Sequence, residues 1–387
     1  MIFKKKILVI SSRPLFPLIG GDRVRTFNTL KILSEKYNID LIFLKEKDGE
    51  ILELDELKKY TKTIKCFEFS KFKYFLNTAI GLISNTLPLQ VNYYYFKKVA
   101  DYIDKLVGEN EYEFLFSFHI RMTNYLERFN LVKVVDLVDS IGLNYSKAKE
   151  SSSGIWKLIY NIESTRVCKY EIDISNRFDK VIVISQVDKE FIGNDKIKVI
   201  GNFVKTKNVE DDVDVKMFSL SFLGKMNYEP NISAIKYFMY KVYPKLKSKL
   251  NDLEFNIIGA YPTKEIRNFE RVPGVKVTGF VDDPYEILVK SQIVIAPMVS
   301  GAGIQNKILE AMSLGKCVVT TRIGADGLNF LTGNELIVCD DTQSLLLRLE
   351  ELLNDNNLCV QIGLNAISYI NNYHSYEKVK SNYLSYL

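Results

Sequence analysis

The stretch richest in potential chemistry runs from Pro297 to Met312 and reads Pro-Met-Val-Ser-Gly-Ala-Gly-Ile-Gln-Asn-Lys-Ile-Leu-Glu-Ala-Met. It follows the apolar run Ile293 to Ala296. A Gly301-Ala302-Gly303 loop closed by Ile304 at a helix start presents bare backbone N–H groups, a favourable cradle for a diphosphate. Lys307 comes about one turn into that helix and Glu310 about one turn further, so loop, ammonium and carboxylate share one helix face. That order suits a nucleoside diphosphate, with amides and ammonium on phosphate and carboxylate on ribose hydroxyls. The competing reading is a Lys–Glu surface pair worth roughly a few tenths of a kcal/mol; the glycines favour the ligand.

Two further loops carry similar residues. Gly224-Lys225-Met226 follows the apolar run Phe218 to Leu223, and a lysine behind a glycine there either reaches a phosphate or is a solvated loop residue. Gly20-Gly21 precedes the amphipathic stretch Thr26 to Tyr37. Adjacent glycines let the backbone approach an anion closely, or simply make a tight turn. The spacing is not Gly-x-Gly-x-x-Gly, which argues against a nicotinamide or flavin site. His119 ends the apolar run Phe114 to Phe118 and is one of two histidines, the other being His374. It is either a packed neutral core residue or a site residue. Asp212-Val213-Asp214 spells an Asp-x-Asp carboxylate pair that could hold a metal but lies in a polar linker, so no metal site is expected. Asp282-Asp283-Pro284 reads as a helix start, where a carboxylate is favoured.

These loops need strands to hold them. Short apolar runs alternate with longer amphipathic stretches: Ile7 to Ile10, Thr26 to Tyr37, Ile39 to Leu44, then strands at Phe114 to Phe118, Val132 to Val138 and Lys180 to Ser185. The rhythm indicates parallel α/β sheets. Ser140 to Arg177 reads as one long helix. After the charged linker Lys205 to Lys216 a second series begins, with strands at Phe218 to Leu223, Glu254 to Ile258, Val275 to Val277, Ile293 to Ala296, Cys317 to Thr320 and Glu335 to Val338. Helices fit Pro230 to about Leu250, Gln305 to Leu314 and Ser344 to Leu353, and Val360 to Leu387 reads as helical with a break near His374. The expectation is two Rossmann-like domains facing each other, with ligands beyond the carboxyl ends of the strands. The boundaries are 1–204 for the first domain, 205–216 for the linker and 217–365 for the second domain, with helices at 366–387 packing back on the first.

At 387 residues the chain is long enough for two or three domains, and 47% hydrophobic with 26% charged residues is the usage of a globular protein. Five scattered cysteines without a Cys-x-x-Cys pair argue against a zinc site or disulfide framework. The best candidate for a membrane span, Phe75 to Leu89, is short and carries Asn77, Ser84 and Asn85. Met1 to Lys6 leads straight into a strand with no signal-peptide cleavage site, so a cytoplasmic location is expected. The net charge of +5 is concentrated: Lys58 to Lys98 holds eight lysines against the single acid Glu68. Aromatics interleave with them, from Phe67 and Phe69 to Tyr95 and Phe96. That pattern fits contact with an anionic membrane surface at its inner face, a cover for a lipid-linked acceptor, or buried rings with lysine tips in water. No motif supports nucleic acid.

Residues 217 to 330 resemble the donor domain of family 4 of the GT-B glycosyltransferases. The matching residues, in order, are Gly224-Lys225-Met226 with Pro230-Asn231, Ile257-Ile258-Gly259, Val277-Thr278-Gly279-Phe280-Val281, Gly303 to Met312 with Gly315 and Val318-Val319, and Gly324-Ala325-Asp326-Gly327-Leu328. The amino-terminal half is similar more loosely, through Gly20-Gly21 and the His119 strand end. The resemblance implies retaining transfer from a nucleotide sugar to a hydroxyl on a glycan or lipid-linked acceptor, with no metal or other cofactor, in bacterial surface polysaccharide or glycoconjugate assembly. Glu310 matches a ribose-binding glutamate, Lys225 and Lys307 match basic positions near the diphosphate, and His119 matches a histidine near the donor sugar. Gly20-Gly21 matches a loop that closes on the phosphate. Gly259, Gly279, Phe280 and Val281 are the base-pocket candidates. Ala302 stands where relatives often carry a second glutamate, which leaves the donor sugar open and keeps a non-catalytic glycan- or subunit-binding protein, or a sugar-nucleotide epimerase, as alternatives.

Overall fold

The computed structural model describes residues 4–17, 21–47, 49, 53–204, 213–301, 303–328 and 333–387. Gly20, Ala302, linker positions 205–212 and Asp212 of the Asp-x-Asp lie outside the described residues. The chain divides into two compact units, Met1–Ile200 with Lys380–Leu387, and Gly201–Val379.

The N-terminal unit is built on β1 (Lys5–Ser11), β2 (Tyr37–Glu46), β3 (Thr63–Phe69), β4 (Phe114–Phe118), β5 (Lys133–Val138), β6 (Lys180–Val183) and β7 (Lys198–Val199). Its sheet runs β3-β2-β1-β4-β5-β6-β7, all parallel. The second unit contains β8 (Lys216–Leu223), β9 (Glu254–Ile258), β10 (Val275–Gly279), β11 (Ser291–Ala296), β12 (Cys317–Thr321) and β13 (Ile337–Cys339), in the order β10-β9-β8-β11-β12-β13. Central strands such as β4 and β11 are buried throughout, as near-continuous apolar runs in a sheet covered on both faces must be. Strand order reverses between β1 and β4 in one sheet and between β8 and β11 in the other. Those are the switch points where α/β sheets leave a crevice for ligands, and the loops singled out from sequence follow these four strands.

Two stretches depart from the sequence expectations. Ser140 to Arg177 is not one helix but two, Ile141–Ser151 and Gly154–Arg177. The break falls at Ser152-Ser153-Gly154, where Gly154 takes φ +59°, a conformation a side chain resists. The helix expected from Pro230 to Leu250 also divides, into Glu229–Lys241 and Tyr243–Lys247, because Pro244 has no N–H to continue the first helix's ladder. The basic aromatic segment is ordered secondary structure: β3, then the helices Lys71–Ser84 and Leu89–Tyr93. Phe69 stacks on Phe96 at 3.7 Å, and Tyr74 packs edge-on to Phe96 at 4.8 Å. Phe67, Tyr74 and Phe96 of that segment therefore belong to the core, with Phe69, Tyr93 and Tyr94 packed against it.

Candidate active site

Close packing between two strand ends shapes the site in the second unit. Gly224 N–H donates to Ile258 O at 3.0 Å and Met226 N–H to Ala260 O at 2.9 Å, tying the loop after β8 to the loop after β9. At Gly259, with φ +150°, a Cβ would fall 1.8 Å from Gly224 O, so only glycine permits this approach. Asn231, buried at the start of the Glu229–Lys241 helix, donates from Nδ2 to Lys225 O at 2.9 Å. Its other amide atom, Oδ1, accepts a hydrogen bond from Lys307 Nζ.

Lys307 sits on the helix Asn306–Ser313 that opens after the glycine loop. Its ammonium lies 4.9 Å from the centroid of the Phe222 ring and 3.6 Å from Met298 Sδ. Burial in this apolar surround pulls its pKa down to about 8, with Glu310 acting the other way. Glu310, one turn on, is pushed up to about 7 by burial, opposed by Lys307 and by a hydrogen bond from the Tyr285 hydroxyl. Tyr285 is raised in turn by burial and by the Glu310 charge. Its helix, Tyr285–Lys290, starts as the Asp282-Asp283-Pro284 motif predicts, with Asp283 Oδ1 accepting from Tyr285 N–H at 2.9 Å. The structure thus brings together an ammonium and a carboxyl, both half-buried and both titrating near neutrality, on one helix face.

The remaining candidates of this unit surround the pair unevenly. Gly301 and Gly303 take φ +123° and +71°, and nothing lies within 4 Å of where a Gly303 Cβ would be, so the backbone there faces open space. Ile304 packs into the apolar cluster beneath the loop. Lys225 is exposed, with its ammonium 5.6 Å from the Tyr261 ring. Gly279 is buried at the end of β10, Phe280 is 74% exposed, and Val281 packs on the same cluster as Ile304. Tyr285 was missed in the sequence reading; its only signal was an aromatic at a helix start beyond Asp283.

In the N-terminal unit His119 is 4% exposed, and neither ring nitrogen has a hydrogen-bond partner among the described residues. Its φ of +63° is unusual for a side-chain-bearing residue, and Val138, at the end of neighbouring β5, has φ +71°. Burial, then Arg121, Arg13 and Arg25, hold the imidazole well below its ordinary pKa, so it is neutral at physiological pH. Gly21 opens the helix Gly21–Lys36, which carries Arg25. Arg25 and Asp136 form a buried ion pair through the Arg25 Nε and Nη2 at 3.1 Å, and Tyr383 donates to Asp136 Oδ2 at 2.6 Å. This triad was not foreseen, since its members lie more than a hundred residues apart.

Residues 218–355 match the family model described as glycosyl transferases group 1. A 44.6 kDa protein of the cps region of Klebsiella pneumoniae is 25% identical over 97% of this chain and 98% of its own length. The capsular polysaccharide biosynthesis glycosyltransferase CapH of Staphylococcus aureus is 23% identical over 79% of this chain and 78% of its own. The fold is shared with HepE of Anabaena, solved with UDP and glucose: the TM-score is 0.63 at 16% identity, covering 99% of this chain and all of that one. The second unit therefore carries a glycosyl transferases group 1 domain, and the chain is a glycosyltransferase of α/β GT-B architecture.

Proposed function

We propose that the chain moves a sugar from a nucleotide-sugar donor to a hydroxyl of a glycan or lipid-linked acceptor during surface-polysaccharide assembly, with retention at the anomeric carbon and without a metal. The observation that carries this is the Lys307–Glu310 pair behind an open glycine loop. Asn231 Oδ1 takes one of the three N–H groups of Lys307 and Met298 Sδ, at 3.6 Å, a second; the third is a donor for a diphosphate. Glu310, as carboxylate, accepts from ribose hydroxyls. When the bond between the anomeric carbon and the diphosphate oxygen breaks, negative charge gathers on the leaving phosphate. Lys307, Lys225 and the backbone N–H groups around Gly303 and Ile304 would stabilise it, preorganised in a partly desolvated site. With two ammonium groups in that role the leaving group needs no divalent cation. Neutral His119 is proposed as a hydrogen-bonding group for the donor sugar. Retention rests on the family resemblance, and the capsule-related relatives support the polysaccharide setting.

We assign the protein to the cytoplasm, peripheral at the inner membrane face. Among the described residues no helix is long and apolar enough to cross a membrane. The Lys71–Ser84 helix instead turns Phe72, Phe75, Leu76, Ile80 and Ile83 outward, with Ile83 89% exposed, and carries Lys71 and Lys73 but no acid. An apolar face flanked by lysines fits an anionic interface.

The test is product analysis by NMR, with UDP sugars first. Acceptor-dependent release of nucleoside diphosphate, unaffected by EDTA and giving a product with the donor's anomeric configuration, is expected. An inverted product, loss of turnover with EDTA, or epimerised donor formed without acceptor would each overturn the corresponding part.

A further inference from the structure

The loop after β9 holds a bulky side chain in a conformation that such side chains avoid. Tyr261 takes φ +58°, where an aromatic residue is strained while glycine, and to a lesser degree asparagine, is at ease. It also precedes Pro262, a position that ordinarily takes extended backbone at negative φ. Among the described residues of the second unit, Phe218 is the other non-glycine at positive φ, and it packs on the hydrophobic core. Tyr261 is 68% exposed. Core packing therefore accounts for Phe218 and does not account for Tyr261.

Neighbouring contacts keep the strain from relaxing. Met226 N–H donates to Ala260 O, immediately before Tyr261, and Gly259 lies so close to Gly224 O that a Cβ does not fit. The chain leading into Tyr261 is thus pinned to the loop that carries Lys225. Backbone strain persists where the surroundings over-determine it, and it gathers at binding sites.

The pinned backbone sets the Tyr261 ring 5.6 Å from Lys225 Nζ. Among the described residues the Lys225 ammonium makes no ion pair or hydrogen bond. Its main chain is fixed, because Lys225 O accepts from Asn231 Nδ2 at 2.9 Å, and Oδ1 of the same amide accepts from Lys307. Asn231 thus sets the base of one lysine against the tip of the other, and the Tyr261 ring restrains the tip of Lys225. An aromatic face attracts an ammonium, and a side chain already ordered loses less rotamer freedom when a ligand binds. Resting on the donor-site reading, we propose that Tyr261 is a positioning residue, which holds the Lys225 ammonium for the donor diphosphate and takes its strained backbone in order to place the ring there.

The test is a double-mutant cycle on the full chain, read by calorimetric titration with UDP, GDP and ADP and by melting temperature. Tyr261→Asn should bind the preferred nucleoside diphosphate about three- to fivefold more weakly than wild type, the range an exposed cation–π contact supplies. Its melting temperature should stay at or above the wild-type value, because asparagine accepts the left-handed backbone more readily. Tyr261→Phe keeps the ring and should bind as wild type does. Lys225→Gln should bind about tenfold or more weakly, and adding Tyr261→Asn to it should weaken binding no further. A residue that merely supports the fold would lower the melting temperature and would act whether or not Lys225 is present. Undiminished binding by Tyr261→Asn overturns the proposal, as does a loss that persists in the Lys225→Gln background, which would mean that the ring touches the ligand directly. A melting temperature several degrees below wild type in Tyr261→Asn would make the residue structural and overturn it likewise. Wild type that binds none of the three diphosphates would overturn the donor site itself, and the proposal with it.

Discussion

Replacing Glu310 by Gln keeps the side-chain volume and removes one negative charge, and the consequences for binding and for folding run in different directions. A carboxylate that accepts from ribose hydroxyls makes charge-assisted hydrogen bonds of about 1.5–3 kcal/mol. Losing that contribution weakens nucleoside diphosphate binding roughly 10- to 150-fold. For stability the sign is opposite. Burial raises the folded pKa of Glu310 from 4.5 to about 7, so the folded state holds the proton more tightly than the unfolded chain. Stability therefore falls as pH rises from about 4.5 through about 7, and the full cost is present at pH 8. A fully buried group would cost about 3 kcal/mol. Glu310 is half-buried and held by Tyr285, so screening reduces this to about 1 kcal/mol. Glutamine escapes that cost but leaves Lys307 without its counter-charge. The variant should accordingly lie within about 1 kcal/mol of wild type at pH 8, and relatively less stable at pH 5. Urea melts at both pH values and calorimetric titration with a nucleoside diphosphate measure both quantities. Unchanged affinity at normal stability would remove Glu310 from the site, and a loss of several kcal/mol would make its role structural.

Other outcomes follow from the same geometry. Nucleotide affinity should be bell-shaped in pH, weakening below about 7 as Glu310 gains a proton and above about 8 as Lys307 loses one; a flat profile in titrations across this range would contradict the pair's role. Gly259→Ala forces a Cβ into Gly224 O and should destabilise the second unit by about 3 kcal/mol or more, read from its urea midpoint; a neutral result would mean the two loops are not packed as described. Tyr383→Phe removes the hydroxyl donor to buried Asp136 and should cost about 1–3 kcal/mol in the same assay, with no cost meaning that Lys380–Leu387 is not anchored there. Ile80→Asp with Ile83→Asp should leave the melting temperature near wild type and abolish sedimentation with phosphatidylglycerol vesicles. Retained sedimentation would place the membrane contact elsewhere.

What could be read from the sequence was what local pattern encodes. Apolar runs gave the strands, and glycines ahead of Lys307 and Glu310 marked a loop and a helix face, because helix spacing alone brings residues three apart together. Hydrogen-bond partners fixed by topology could not be read. Arg25, Asp136 and Tyr383 meet only because the Gly21–Lys36 helix, β5 and the last helix converge, and Tyr285 reaches Glu310 only once β11 has been threaded between them. The Lys58 to Lys98 segment shows a third limit. Its composition suggested a surface, yet Tyr74 and Phe96 are buried while Phe72 and Ile83 are not. Helical phase, not composition, decides which rings face water.

The most direct test of the central claim is a thermal-shift panel of nucleoside diphosphates and their sugars against wild type and Lys307→Met. A ligand of the folded state raises the melting temperature with concentration. A rise selective for one base and lost in Lys307→Met is the expected result. No rise with any nucleotide in wild type, or an equal rise in the variant, would contradict a donor site built on the Asn306–Ser313 helix.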